Sequence, residues 1–168
     1  MNQVIKKNNQ VGFTLIETLI YIAFLSLLMA SLLGVTYQAI ASTDQINKKI
    51  ILQQESNFIS AKLDWALTGA NAITLPAVNT NGSELKLTKY SFGQNPLDFV
   101  LQGNYLTLSR AGAAAVQLNS QNTKITSFTV TASKAGSQPE QIQISYTIVL
   151  VNDSTQTQSF QLTKYLRQ

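Results

Sequence analysis

Cysteine and histidine are both absent from this 168-residue chain. Without cysteine there is no disulfide, no thiolate nucleophile and no thiolate metal ligand. Without histidine the commonest general base and the commonest metal ligand are missing, along with every triad that needs an imidazole. Charge is scarce as well, at 12% of residues, and Lys and Arg never gather in runs longer than a pair. No GxSxG string, no glycine-rich phosphate loop and no Asp-x-Asp-x-Asp calcium loop occurs. Asp98 and Asp153 stand apart in the sequence and mark no calcium site. The chain is read as non-enzymatic, with no catalytic residue, no cofactor and no metal.

What is present is a long apolar run. After Glu17 no charged residue occurs until Asp44. About 20 apolar residues in a helix, at about 1.5 Å each, cross a bilayer core. The segment from Thr18 to Thr43 exceeds that length. Glu17 is the anomaly. A carboxylate at the edge of such a run costs about 2–3 kcal/mol and calls for a partner. The basic pair Lys6-Lys7 precedes the run and places that end on the cytoplasmic side by the positive-inside rule. An ordinary secretory signal is cut after its apolar segment. Here the small residue beside the basic stretch, Gly12, lies before the run, so cleavage at that point leaves the helix on the mature chain.

The string Gly12-Phe13-Thr14-Leu15-Ile16-Glu17, set between a short basic leader and an apolar helix, resembles the prepilin signal of type IV pilins and type II secretion pseudopilins. The resemblance is specific over residues 1–40 and architectural beyond them. It implies cleavage after Gly12 by a prepilin peptidase and N-methylation of the new amino group of Phe13. It also implies that Glu17 of an incoming subunit pairs with the amine of one already in a filament. The partners it implies are sibling pilins or pseudopilins, the prepilin peptidase and an inner-membrane assembly platform. The location it implies is a single-pass inner-membrane protein, N-terminus in the cytoplasm, later drawn into a filament. Losing Lys6 and Lys7 with the leader leaves ten basic side chains against eight acidic ones, a balance that gives little support to a nucleic-acid partner.

Four segments follow: a leader at 1–12, a membrane or filament-core helix at 13–40, an amphipathic continuation of that helix at 41–69, and an extracytoplasmic antiparallel β domain at 70–168. The expected fold class is α+β, a long N-terminal helix, membrane-spanning in its first half and amphipathic in its second, packed on an antiparallel β-sheet domain as in pilins. Within the apolar run Ser26, Ala30 and Gly34 fall four apart on one stripe, a spacing that lets helices approach closely in lipid. In the continuation Ile51, Leu52, Phe58, Ile59, Leu63, Trp65 and Ala66 recur at helical spacing, with Lys48, Asn57, Asp64 and Thr68 placed opposite, and Gly69 as the stop. Gln102-Gly103-Asn104 reads as a hairpin turn between Phe99-Val100-Leu101 and Tyr105-Leu106-Thr107-Leu108. Residues 124–167 read as a three-strand meander, with Phe128, Val130, Ile142, Ile144, Tyr146, Phe160 and Leu162 at alternating positions. Tyr90, Phe92, Phe99 and Tyr105 are taken as core aromatics rather than a stacking platform.

The closing stretch from Ser159 to Arg167 is similar to the last strand of J-type pseudopilins and related minor pilins. The reading that best joins these features is a minor pilin or minor pseudopilin, a structural subunit. The alternative is a signal-anchored extracytoplasmic protein that binds carbohydrate or peptide and keeps its leader.

Overall fold

The computed structural model describes residues 14–136 and 139–166. One helix, α1, runs from Leu15 to Leu67, and the nine strands that follow form two antiparallel sheets. The chain divides at Gln45/Ile46 into two compact units.

In the first unit every residue from Thr18 to Gln45 is exposed, so nothing there forms a core. Its apolar window has a mean hydropathy of 2.2 and is long enough to cross a membrane. A helix that is hydrophobic all round is a helix meant to be surrounded by lipid or by other helices.

The second unit packs the remainder of α1 with both sheets. Strands β1 (Ala70–Leu75), β3 (Glu84–Lys89), β4 (Leu97–Gln102), β5 (Tyr105–Arg110) and β6 (Val116–Gln117) form one sheet in the order β1-β3-β4-β5-β6. Strands β2 (Thr80–Gly82), β7 (Thr123–Ser133), β8 (Gln141–Leu150) and β9 (Thr157–Tyr165) form the other, in the order β2-β7-β8-β9. A single cluster fills the interior: Leu52, Ile59 and Leu63 of the helix, Leu85, Leu97 and Phe99 of the first sheet, and Val130, Ile144 and Tyr146 of the second. Inward residues of β7 and β8 alternate with outward Thr, Ser and Gln, as the period-2 pattern requires. One bulge between Ile125 and Ser127 resets the phase, which lets both Ile125 and Phe128 point inward.

The α+β architecture with a long N-terminal helix matches expectation, with two differences. The meander β7-β8-β9 gains β2 as a fourth strand, although Asn79-Thr80-Asn81-Gly82 has the composition of a turn. The helix stripe also lies slightly off the expected line. Leu52, Ser56, Ile59, Leu63, Ala66 and Leu67 are the buried residues. Ile51, Phe58 and Trp65, spaced by seven, form a neighbouring line and stay 38%, 47% and 38% exposed. Of the polar residues placed opposite, Asn57 is exposed and accepts from Gln53, whereas Lys48, Asp64 and Thr68 meet the second sheet and its β8–β9 loop. Lys48 Nζ pairs with Asp153 Oδ2 at 3.1 Å, and Lys164 Nζ donates to Asp64 Oδ1 at 2.6 Å and to Thr68 Oγ1 at 3.1 Å.

The helix ends as a glycine allows. The Thr68 amide bonds back to the Asp64 carbonyl at 2.8 Å, Gly69 adopts φ +76°, and the Gly69 carbonyl accepts from the Tyr90 amide. Lys89 Nζ reaches the free carbonyl of Trp65 at 2.5 Å and lies 4.1 Å over the Trp65 ring. Across β4–β5 the hairpin closes through Gly103 and Asn104, with Gln102 opposite Tyr105 and Gly103 at φ +62°.

The buried hydroxyl of Tyr146 anchors α1 to the second sheet. It donates to the Ser56 carbonyl at 2.8 Å and contacts Ser56 Oγ at 2.7 Å and Ser60 Oγ at 2.8 Å. A chain beginning at Ala41 should therefore unfold in one cooperative step, with mixed helix–strand circular dichroism. In that chain Tyr146→Phe should lower the unfolding free energy by about 1–3 kcal/mol, because it strips partners from buried hydroxyls. Burial also holds the Tyr146 phenol above its ordinary value of 10.0. The unfolded chain then gives up this proton first, so stability falls as pH rises through that value, and it falls less steeply in the Phe variant. Denaturant melts at neutral pH and above pH 10 read both effects. A molten product, or a Phe variant as stable as its parent, would remove Tyr146 from this role.

Candidate functional site

The residues singled out by the sequence all lie on the first unit or just before it. Gly12 and Phe13 lie outside the described residues. Thr14 immediately precedes α1, and its carbonyl accepts from the amides of Glu17 at 3.1 Å and Thr18 at 3.3 Å. Glu17 is thus in the first helical turn, where the free amides and the helix dipole favour a negative charge. Its side chain is half-buried, and Oε1 accepts a hydrogen bond from the Tyr21 hydroxyl at 3.2 Å, one turn on.

A local signal was missed in the sequence. Thr14-Leu15-Ile16-Glu17 has the T-x-x-E spacing of a capping box, which marks a helix start without any reference to a membrane. In the structure the Glu17 carboxylate turns toward Tyr21 instead. Glu17 therefore has a structural reason to stand at the helix start, in addition to any role in assembly.

Ser26, Ala30 and Gly34 all fall on exposed helix surface. Ser26 Oγ donates to the Ile22 carbonyl at 2.7 Å, and a side chain at Gly34 would meet nothing within 4 Å. Four other hydroxyls behave like Ser26. Thr18 bonds the Leu15 carbonyl, Ser31 that of Leu28, Thr36 that of Leu32 and Thr43 that of Ala39. These five hydroxyls are satisfied by the helix backbone, which is what a hydrocarbon environment favours.

The second unit offers no comparable constellation. Among the described residues no group of three or more Asp, Glu, His or Cys could hold a metal ion. Asp98 Oδ2 lies 3.5 Å from Lys86 Nζ, and Asp153 is engaged by Lys48 and Thr155. The hydrogen bond from the Thr155 hydroxyl, followed by that from Lys48, lowers the Asp153 pKa below its ordinary value. Ser83 and Lys86 have an S-x-x-K spacing, but Lys86 is on a strand and its amine faces Asp98. The four aromatics separate: Phe99 is in the core, Phe92 packs edge-on to Trp65 at 5.7 Å, Tyr105 is half-buried and Tyr90 is 80% exposed. They make no common stacking surface. Two open grooves flank the helix. One of about 520 Å³ is lined by Ile46, Ile50, Gln53 and Gln158, and one of about 510 Å³ by Phe58, Lys62, Arg110 and Leu118.

No family model matches the chain, and neither the curated proteins nor the solved structures contain a significant match.

The chemistry of the site is thus that of an exposed apolar helix with one acid at its start. Each arginine at the centre of a membrane helix costs about 2.5–3.5 kcal/mol. Leu28→Arg combined with Leu32→Arg should therefore release the chain from membranes under alkaline carbonate extraction, while single Leu28→Ala should leave it in the pellet. Retention of the double arginine variant would show that the run is not held by lipid.

Proposed function

We propose that this chain is a minor pilin or minor pseudopilin, a non-enzymatic subunit of a type IV pilus or a type II secretion-type filament. The observation that carries the reading is the position of Glu17. It is the one acid in the first turn of α1 and the one charge in the apolar run from Leu15 to Thr43, five places after Gly12 in the string Gly-Phe-Thr-Leu-Ile-Glu. Before assembly α1 holds the chain in the inner membrane, with the leader in the cytoplasm and the β domain outside it. Prepilin peptidase removes residues 1–12, and the amine of Phe13 is methylated. The mature chain then carries a fixed positive terminus one helical turn from Glu17. Pairing that amine with Glu17 of a sibling brings two poorly solvated charges together, and so favours addition of a neighbour in the right register. The small stripe at Ser26, Ala30 and Gly34 lets the apolar helices of siblings approach.

Intact-mass measurement of membrane-extracted protein tests the processing. The expected mass lacks residues 1–12 and carries one methyl group, and Gly12→Val should leave the full-length precursor. A native chain that keeps its leader would instead mark a signal-anchored protein.

The assembly step is tested separately. Glu17→Ala and Glu17→Leu should leave cleavage and membrane insertion intact, because the apolar run is unchanged. Removing one partner of a buried ion pair costs about 3–5 kcal/mol. Crosslinked complexes with sibling subunits should therefore fall more than tenfold in both variants. Undiminished crosslinking in either would reduce Glu17 to an acid of the first helical turn that is bonded to Tyr21.

A further inference from the structure

Four strands form the ends of the two sheets, and three of them are blunted. β6 has two residues and β2 three. β1 has six, but its pairing with β3 is broken by register shifts at two places and Pro76 follows it directly. Short strands, bulges and prolines are the usual protections of a sheet edge against pairing with another chain.

β9 has none of them. It runs nine residues from Thr157 to Tyr165, and its register with β8 is unbroken from Val149↔Thr157 to Gln141↔Tyr165. It contains no proline, and its outward side chains, Thr157, Ser159, Gln161, Thr163 and Tyr165, are all uncharged. Its one charge, Lys164, faces inward and is held by Asp64 and Thr68. Among the described residues no hydrogen bond reaches the backbone groups on the free side of β9. Phe160 and Leu162 point toward the core yet stay only half-buried, whereas their neighbours on β8, Tyr146 and Ile144, are buried. Phe160 is stacked on Tyr146 at 5.5 Å and is only partly covered.

We infer that the free edge of β9 accepts an extended strand from a partner polypeptide. A row of alternating backbone donors and acceptors is satisfied in full only by another extended backbone. The side-chain pattern states the chemistry of that strand. It is uncharged, with apolar residues two apart that cover Phe160 and Leu162 and with hydroxyl or amide side chains on the other face. This inference rests on the β domain alone and does not depend on the processing of the N-terminus.

The probe is a soluble, end-capped peptide with the sequence of residues 157–163, which has that pattern and no charged side chain. Laid antiparallel about Gln161, it sets its leucine beside Phe160 and its phenylalanine beside Leu162. The full-length chain in lipid nanodiscs is followed by amide hydrogen exchange with and without peptide. Amides on the free side of β9 should slow at least tenfold, with no change at β1. Two further peptides separate a backbone ladder from side-chain binding, one N-methylated at alternate positions of one phase and one of the other. Only the phase that faces β9 should lose the effect. Equal protection by both, protection elsewhere, or no protection would overturn the inference. Slow exchange of these amides without peptide that increases with protein concentration would also overturn it, since a second copy would then fill the edge.

Discussion

The hydroxyl of Tyr146 sits where three elements meet, and the rest of the domain depends on how they are joined there. The ring belongs to β8 and stacks on Phe160 of β9, while the oxygen reaches the Ser56 carbonyl and the hydroxyls of Ser56 and Ser60 on α1. An unpaired polar group in that position would cost about 1–3 kcal/mol. Apolar contacts alone would tolerate small slides of a helix along a sheet. Hydrogen bonds of 2.7–2.8 Å do not, so one axial position of the helix is selected. Partly exposed links on either side set the same register: Lys48 with Asp153 toward the N-terminal end and Lys164 with Asp64 toward the C-terminal end. Exposed pairs of this kind contribute little stability. Their place at both ends of the contact argues for orientation rather than strength.

One helix carries two different surface chemistries, and the change falls where the compact unit begins. From Thr18 to Tyr37 the helix is predominantly apolar on all sides, and Thr18, Ser26, Ser31 and Thr36 bond their own backbone. From Leu52 onward burial recurs at intervals of three and four residues, which is the signature of a helix covered on one side only. From Thr18 to Gln45 the first part is exposed throughout, which is consistent with a single-pass membrane anchor. The second part is covered within its own unit, where Leu52, Ile59 and Leu63 belong to the core cluster.

Much of this was legible in the sequence, and the reasons differ by element. The apolar run is defined by composition over more than twenty residues, and no tertiary contact is needed to read it. The strands β7, β8 and β9 alternate cleanly because each has one wet face and one dry face. β1 and β2 were not legible. Ala70–Leu75 has two bulges that break its period, and Thr80–Gly82 has the composition of a turn and becomes a strand only because β7 pairs with it. The division into two sheets is likewise a tertiary fact. At the helix start, the acid at position 17 was legible, but the T-x-x-E spacing that gives it a local reason was overshadowed by the membrane run. Ser56 was invisible as a core residue because a serine on an apolar stripe has no signal of its own. Its partner lies 90 residues away.

Lys164 shows how fastening the helix and exposing an edge are linked. In an alternating strand it occupies an inward phase, where lysine is costly unless its amine is met. Asp64 and Thr68 meet it, and the end of α1 is thereby tied to β9. A lysine on the outer face of the same strand would have been a common guard against strand pairing. Placed inward, the single charge of β9 holds the helix and leaves the edge neutral. The other edges are short or bulged, so the chain is not generally careless of its edges. The same residue thus secures the contact on which the domain depends and leaves one nine-residue ladder open on its surface.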